Sequence, residues 1–259
     1  MILTVPADIS RAATSEIRKI TTLRVAWLLV GLCAVSGFGA AAVSAVLGTR
    51  PQPHEALATG TASVGLYIGL VVAAVAALVG GAFGTGTEYR YQSMPLTSLF
   101  TPDRDVLLGT KLGVTAGYSL LLGVAAEVGA GLGLLVDRHQ IEFGMRFTAV
   151  LGGGLLAVVC WGLIGASLGL LLRSSVLAIA APIGWLLIIE PLIWLVAGGA
   201  GVPGLAVLLP GSATVSTVAV GSFPDSALLA PSPAAAVVLL LWTLGAGAAA
   251  WWYLRNRDL

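Results

Sequence analysis

The sequence predicts an all-α membrane protein with six transmembrane helices, and three observations carry that prediction. The 259 residues are 58% hydrophobic and only 10% charged, where a soluble domain carries about 25% charged residues. Mean hydropathy is +0.98, so the chain needs lipid as part of its solvent. Six apolar runs reach the length of about 20 residues that crosses a hydrocarbon core. Those runs lack the two-residue alternation of a barrel strand, and a helix satisfies its own backbone in lipid without a neighbour.

The spans fall at residues 25–47, 62–83, 112–136, 147–172, 176–196 and 233–254. The first exceeds the 7–15 apolar residues of a typical signal-peptide core and reads as an uncleaved span. Ahead of it, residues 8–23 are too polar to cross. Ile9, Ala13, Ile17, Ile20 and Leu23 share one helical face, with Arg11, Arg18 and Lys19 on others, and Asp8 or Ser10 is available as N-cap. This is the pattern of an interfacial helix lying along the membrane surface. Between the fifth and sixth spans, residues 197–232 are too apolar for a plain loop. Pro203, Pro210, Gly211, Pro224 and Pro231 break them too often for a clean span. Short re-entrant helices in the outer leaflet are expected there, since irregular backbone at membrane depth requires protein or a water-filled cavity around it.

Orientation follows from Lys and Arg. Arg50, Arg138 and Arg146 fall on one side, and the other ten of the 13 basic residues on the opposite side. Both termini and residues 84–111 are therefore expected in the cytoplasm. Only Lys19 and Lys111 are lysines, and with the load of Ala, Gly and Val this composition points to a bacterial inner membrane. A net charge of +1 indicates no nucleic-acid partner.

The segment 84–111 is the longest polar stretch. Glu88-Tyr89-Arg90 follows the second span, an amphipathic piece containing Met94 and Leu96 comes next, then Thr101-Pro102 and Asp103-Arg104-Asp105, and Lys111 opens the third span. A polar segment carrying exposed apolar side chains suits docking to a soluble partner. This arrangement resembles the permease subunits of the type-2 ABC exporter family. Ser15-Glu16-Ile17-Arg18-Lys19 looks like that family's N-terminal surface helix, and Leu209-Pro210-Gly211 is similar to the element before its external re-entrant helices. Tyr91-Gln92-Ser93-Met94 departs from the small Gly-Thr element of many relatives. The resemblance spans the whole chain and implies a permease that dimerises with a second permease copy. It implies further that Glu88, Tyr89, Arg90, Met94 and Leu96 couple to an ATP-binding subunit present in two copies, with ATP and Mg on that partner and no cofactor on this chain.

The chain itself lacks a nucleotide site. Gly81 to Gly86 is glycine-rich without a following Lys, and Gly109-Thr110-Lys111 has the wrong order for a phosphate-binding loop. No HExxH motif or Cys/His centre suggests an enzyme. Cys33 and Cys160 lie in apolar runs, and His54 and His139 in loops. Two acids stand inside spans, Glu127 in the third and Glu190, followed by Pro191, in the fifth. Intramembrane acids are costly and often functional, so both are candidate pathway or gate residues. They also motivate an alternative, an ion-coupled secondary carrier, against which the lack of an internal repeat weighs. An anchoring subunit without transport is a third reading. Gly129 with Gly133, and Gly165 with Gly169, have the spacing for close helix approach. The expected substrate is a hydrophobic compound such as a drug or lipid.

Overall fold

The computed structural model describes residues 7–47, 61–94, 97, 99, 103–137, 145–220, 226 and 228–256. Helix α1 (Ala7–Thr22) leads into α2 (Arg24–Leu47), α3 (Thr61–Arg90) and α4 (Arg104–Leu134), which ends in a 3-10 turn (Leu135–Asp137). Then come α5 (Met145–Leu172), α6 (Ser175–Gly184), a π-helical turn (Trp185–Ile189) and α7 (Glu190–Gly199). A 3-10 segment (Pro203–Leu208), α8 (Pro210–Val218) and α9 (Ser232–Asn256) complete the chain. Among the described residues every regular element is helical. Six helical stretches are long and apolar enough to cross a membrane: α2, α3, α4, α5, the continuous α6–α7 unit and α9. That is the make-up of a multi-pass membrane protein.

On α2 the packing is sorted by size rather than by polarity. In α2 the buried residues are Cys33, Gly37, Ala41 and Ala45, every fourth position and all small, while Leu28 and Val35 are 69% and 70% exposed. Lipid solvates a large apolar side chain as well as a protein core does, so helices associate where small residues let backbones approach. A Cβ on Gly129 would sit 2.1 Å from the Ala34 carbonyl oxygen of α2, and one on Gly165 would sit 2.2 Å from that of Leu78 in α3. The two glycine pairs therefore join α4 to α2 and α5 to α3. Helices α3 and α5 form the centre, with 56% and 61% of their apolar windows buried against 17% for the α6–α7 unit.

Helices α3 and α4 run beyond their apolar runs. Helix α3 continues through Glu88 and stops at a Schellman motif, in which Ser93 N–H donates to Glu88 O (2.9 Å) and Gln92 N–H to Tyr89 O (3.2 Å). Gln92 takes the left-handed conformation this cap requires (φ 53°). The turn returns the chain inward, so that Met94 is buried at 1% exposure against Leu107, Leu108, Leu170 and Leu254. Helix α4 starts at Arg104, where Asp103 caps the amides of Asp105 and Val106, so Lys111 lies two turns inside a helix. In the α6–α7 unit, Pro191 has no N–H to give and its ring crowds the carbonyl one turn back. The backbone answers with the wide turn Trp185–Ile189, closed by the Glu190 N–H donating to Trp185 O.

Candidate functional site

Four charged residues at the α1 end converge on one largely buried cluster. Glu16 and Lys19 of α1 meet Glu88 at the end of α3 and Lys111 of α4. Lys111 Nζ donates to Glu88 Oε1 at 2.6 Å and to Glu16 Oε1 at 3.0 Å. Lys19 Nζ donates to Glu16 Oε1 at 2.7 Å and to Glu88 Oε1 at 2.8 Å. Two ammonium groups and two carboxylate oxygens thus alternate around a ring of zero net charge. The Lys111 side chain is 2% exposed and that of Glu88 7%. Ions so far from water persist only when paired and hydrogen-bonded, and the ring meets that condition for both lysines. Glu88 Oε2 is buried and has no hydrogen-bond partner among the described residues.

Burial pushes the Glu16 carboxyl upward, but Lys111 and Lys19 outweigh it and hold the group below its ordinary value of 4.5. Burial likewise depresses Lys19, and its bonds to Glu16 and Glu88 outweigh that and raise it above 10.5. A lowered carboxyl favours the docked form above pH 4.5, and this contribution is lost as pH falls through the docked value. A raised ammonium contributes fully below pH 10.5, and its share is lost as pH rises through the docked value. A spin-label pair bridging α1 and α4 should therefore hold one narrow distance between about pH 5 and 10 and broaden outside that window. Broadening already at pH 6 would show that these charges do not hold α1.

Three further contacts clamp the same end. The Arg104 guanidinium donates to the carbonyl of Leu254, at the C-terminus of α9 where a cation is favoured. The Trp251 indole N–H donates to Asp105 Oδ1 at 2.7 Å. Arg173, left-handed at φ 51° between α5 and α6, lies 5.5 Å from the Tyr89 ring centre and 5.3 Å from that of Tyr253. Of the residues singled out by sequence, Glu88 and Tyr89 turn inward with Met94. Arg90 is exposed, as are Tyr91 at 74% and Leu99 at 76%. On α1, Ile17 is 49% exposed and Arg18 is exposed, whereas Lys19 joins the ring. Leu96, Thr101-Pro102, His54 and His139 lie outside the described residues.

At the opposite end of the bundle, Glu190 is 2% exposed and spent on local structure. Its Oε1 accepts from the Gly211 amide at 2.8 Å and from the Trp185 indole at 3.1 Å. A carboxylate here faces the positive end of α8, and a Cβ on Gly211 would lie 2.2 Å from Glu190 Oε2. Three more tryptophans grip the same region: Trp161 donates to Thr214 Oγ1, Trp194 to Ser212 Oγ and Trp242 to Leu208 O, at 2.9, 3.0 and 2.9 Å. Beside them a cleft of about 570 Å³ opens between α5, α6 and α9, walled by Trp161, Pro182, Trp185, Leu208, Val238 and Trp242. Its three indole N–H groups are already used, so it offers carbon and ring faces. Glu127 lies apart from this module, part-buried on α4, and its Oε1 has no hydrogen-bond partner among the described residues.

Sequence reasoning singled out Lys19, Glu88 and Lys111 separately but not their ring, because Glu88 and Lys19 are 69 positions apart and Lys111 and Glu16 are 95 apart. The signal available was the scarcity of charge itself: in a chain this apolar, an acid and a lysine at the ends of adjacent spans have few other partners. No family model matches this chain, and no curated protein matches it.

Proposed function

We propose that this chain is the membrane-spanning permease subunit of an ATP-binding-cassette exporter in a bacterial inner membrane. In this reading α1 lies along the cytoplasmic surface, both termini are cytoplasmic, and two permeases work with two separate ATPase subunits. The observation that carries the reading is the construction of the segment after α3. It is tied inward at both ends, by Glu88 in the charged ring and Met94 in the core at one end and by Arg104 and Asp105 on α9 at the other. Between these ties it presents Arg90, Tyr91 and Leu99 outward. A surface fixed to the neighbouring helices moves with them, and this is what a partner needs in order to transmit force to the spans. The apolar cleft beside Trp185 and Trp242 supports a hydrophobic cargo such as a drug or lipid.

Purification of the tagged chain from its native membrane in mild detergent should bring an ATP-hydrolysing subunit with it. The pair Tyr91→Glu and Leu99→Glu, both at exposed positions, should release that subunit without altering the melting of the bundle. Retention of the ATPase by the double variant would remove the docking surface from the proposal. Transport by this polypeptide alone, indifferent to ATP depletion, would replace the whole reading. The second reading, an ion-coupled carrier, is favoured by the unpartnered Glu127 Oε1. It requires transport in ATPase-free vesicles that is abolished by Glu127→Gln.

A further inference from the structure

We propose that the groove beneath α1 is a binding site for an anionic phospholipid, with an acyl chain along α4 and the phosphate on Arg18 and Arg24. This rests on the reading above only in placing α1 at the membrane surface.

The groove has a volume of about 390 Å³ and lies where α1, α2 and α4 meet. Its walls include Ile17 and Thr21 from α1, Trp27 from α2, and Gly113, Gly117 and Tyr118 from α4. The polar tips of its aromatics are already engaged: the Trp27 indole N–H donates to Thr21 O at 3.0 Å and the Tyr118 hydroxyl to Ala26 O at 2.9 Å. Thr21 Oγ1 donates to Ile17 O at 3.0 Å. What faces the groove is therefore carbon, matched to an alkyl chain and offering nothing to a polar solute. Ile17 at 49% and Trp27 at 57% exposure form its open lips.

Charge one turn away from the groove decides between lipids. Arg18 lies one turn before Thr21 on α1, and Arg24 one turn before Trp27 on α2, so each is a neighbour of a groove residue. Both are exposed, and neither pairs with a carboxylate among the described residues, since Glu16 and Glu88 are taken by lysines. Two exposed guanidiniums, each one helical turn from a groove residue and one of them, Arg18, also bordering the polar face of α1 with Ser15 and Thr22, complement a phosphate bound beside an acyl chain. A lipid whose headgroup carries net negative charge gains from both, whereas a zwitterionic one brings its own cation to the same place.

The floor of the groove offers a clean test. A Cβ on Gly113 or on Gly117 would meet no heavy atom within 4 Å. A larger side chain at either position fills the groove without displacing the bundle. The experiment titrates the purified full-length chain with phosphatidylglycerol and, separately, with phosphatidylcholine of the same acyl composition, read by native mass spectrometry. Phosphatidylglycerol should bind preferentially. Arg18→Gln and Arg24→Gln should each weaken it about five-fold and together bring the two lipids level. Gly117→Leu, with Gly113→Leu as the second variant should the first fold poorly, should weaken both lipids alike. Inorganic phosphate should not compete. A preference that survives loss of both arginines, undiminished binding in the filled-groove variants, or displacement by free phosphate would each overturn the proposal. The assay needs no ATPase, so its outcome is separate from the fate of the exporter reading.

Discussion

Replacing Lys111 with methionine is expected to cost about 3–5 kcal/mol of stability, the usual penalty for removing one partner from a buried ion pair. Methionine follows the lysine stem as far as Cε and is at home in an apolar site, so the loss comes mainly from the ammonium charge. Without Lys111, Glu16 and Glu88 share one remaining cation, Lys19, whose side chain is 42% exposed. Two carboxylates on one partly solvated ammonium must repel each other, take up a proton or part. Parting means release of α1. The double variant Lys111→Met with Glu88→Gln removes one charge of each sign and leaves Glu16 with Lys19. It is expected to recover more than half of the loss, since exchanging a buried pair for neutral groups is far milder than breaking it. Reversible unfolding in mixed micelles measures both. Equal stability of wild type and Lys111→Met would mean that the ring does not hold the bundle together.

The second large effect is expected at Glu190. Leucine there strands the Gly211 amide and the Trp185 indole N–H, two part-buried donors, each costing about 1–3 kcal/mol when left without an acceptor. A loss of about 2–6 kcal/mol should follow, concentrated in α8 and visible as faster amide exchange over Pro210–Val218. Glu190→Gln keeps one oxygen acceptor of the same reach and should cost less than half as much. The comparison separates two roles. A carboxylate that carries protons or cations is disabled by glutamine as thoroughly as by leucine, whereas one that holds a helix end is largely replaced by it. Transport retained in Glu190→Gln together with collapse in Glu190→Leu is the expected pattern. Transport abolished by glutamine with stability intact would return Glu190 to the pathway.

These two sites mark where sequence was informative and where it stopped. The six helices of membrane length were legible because each contains a long apolar run, and without the alternation of barrel strands a helix is what satisfies the backbone in lipid. Helix ends were less legible. A hydropathy window closes at the first charge, yet α3 continues to Arg90 and α4 begins at Arg104, and Glu88, Arg104, Asp105 and Lys111, carried past the apolar runs, find partners in other helices. The break at Glu190-Pro191 was legible as a proline effect, but its form was not. It is displaced upstream into a π turn, and the carboxylate beside it serves a helix that begins 20 residues later. The tryptophans illustrate the same limit. Trp161, Trp194 and Trp242 sit on separate helices, and nothing local to any of them indicates that all three indoles hold the stretch Leu208–Thr214.

The wide turn at Trp185–Ile189 has a consequence for how this span tolerates changes in length. A π turn is an α-helix holding one residue more than its hydrogen-bond ladder needs. Elsewhere in the bundle, deleting a residue would rotate everything beyond it by about 100° and turn a packed face towards lipid. Within 185–189 a deletion removes the surplus instead, so the flanking turns keep their facing and the break falls back on Pro191 as an ordinary proline kink. The stretch that looks most like a flaw in the helix is thus its one built-in allowance for a shortened chain.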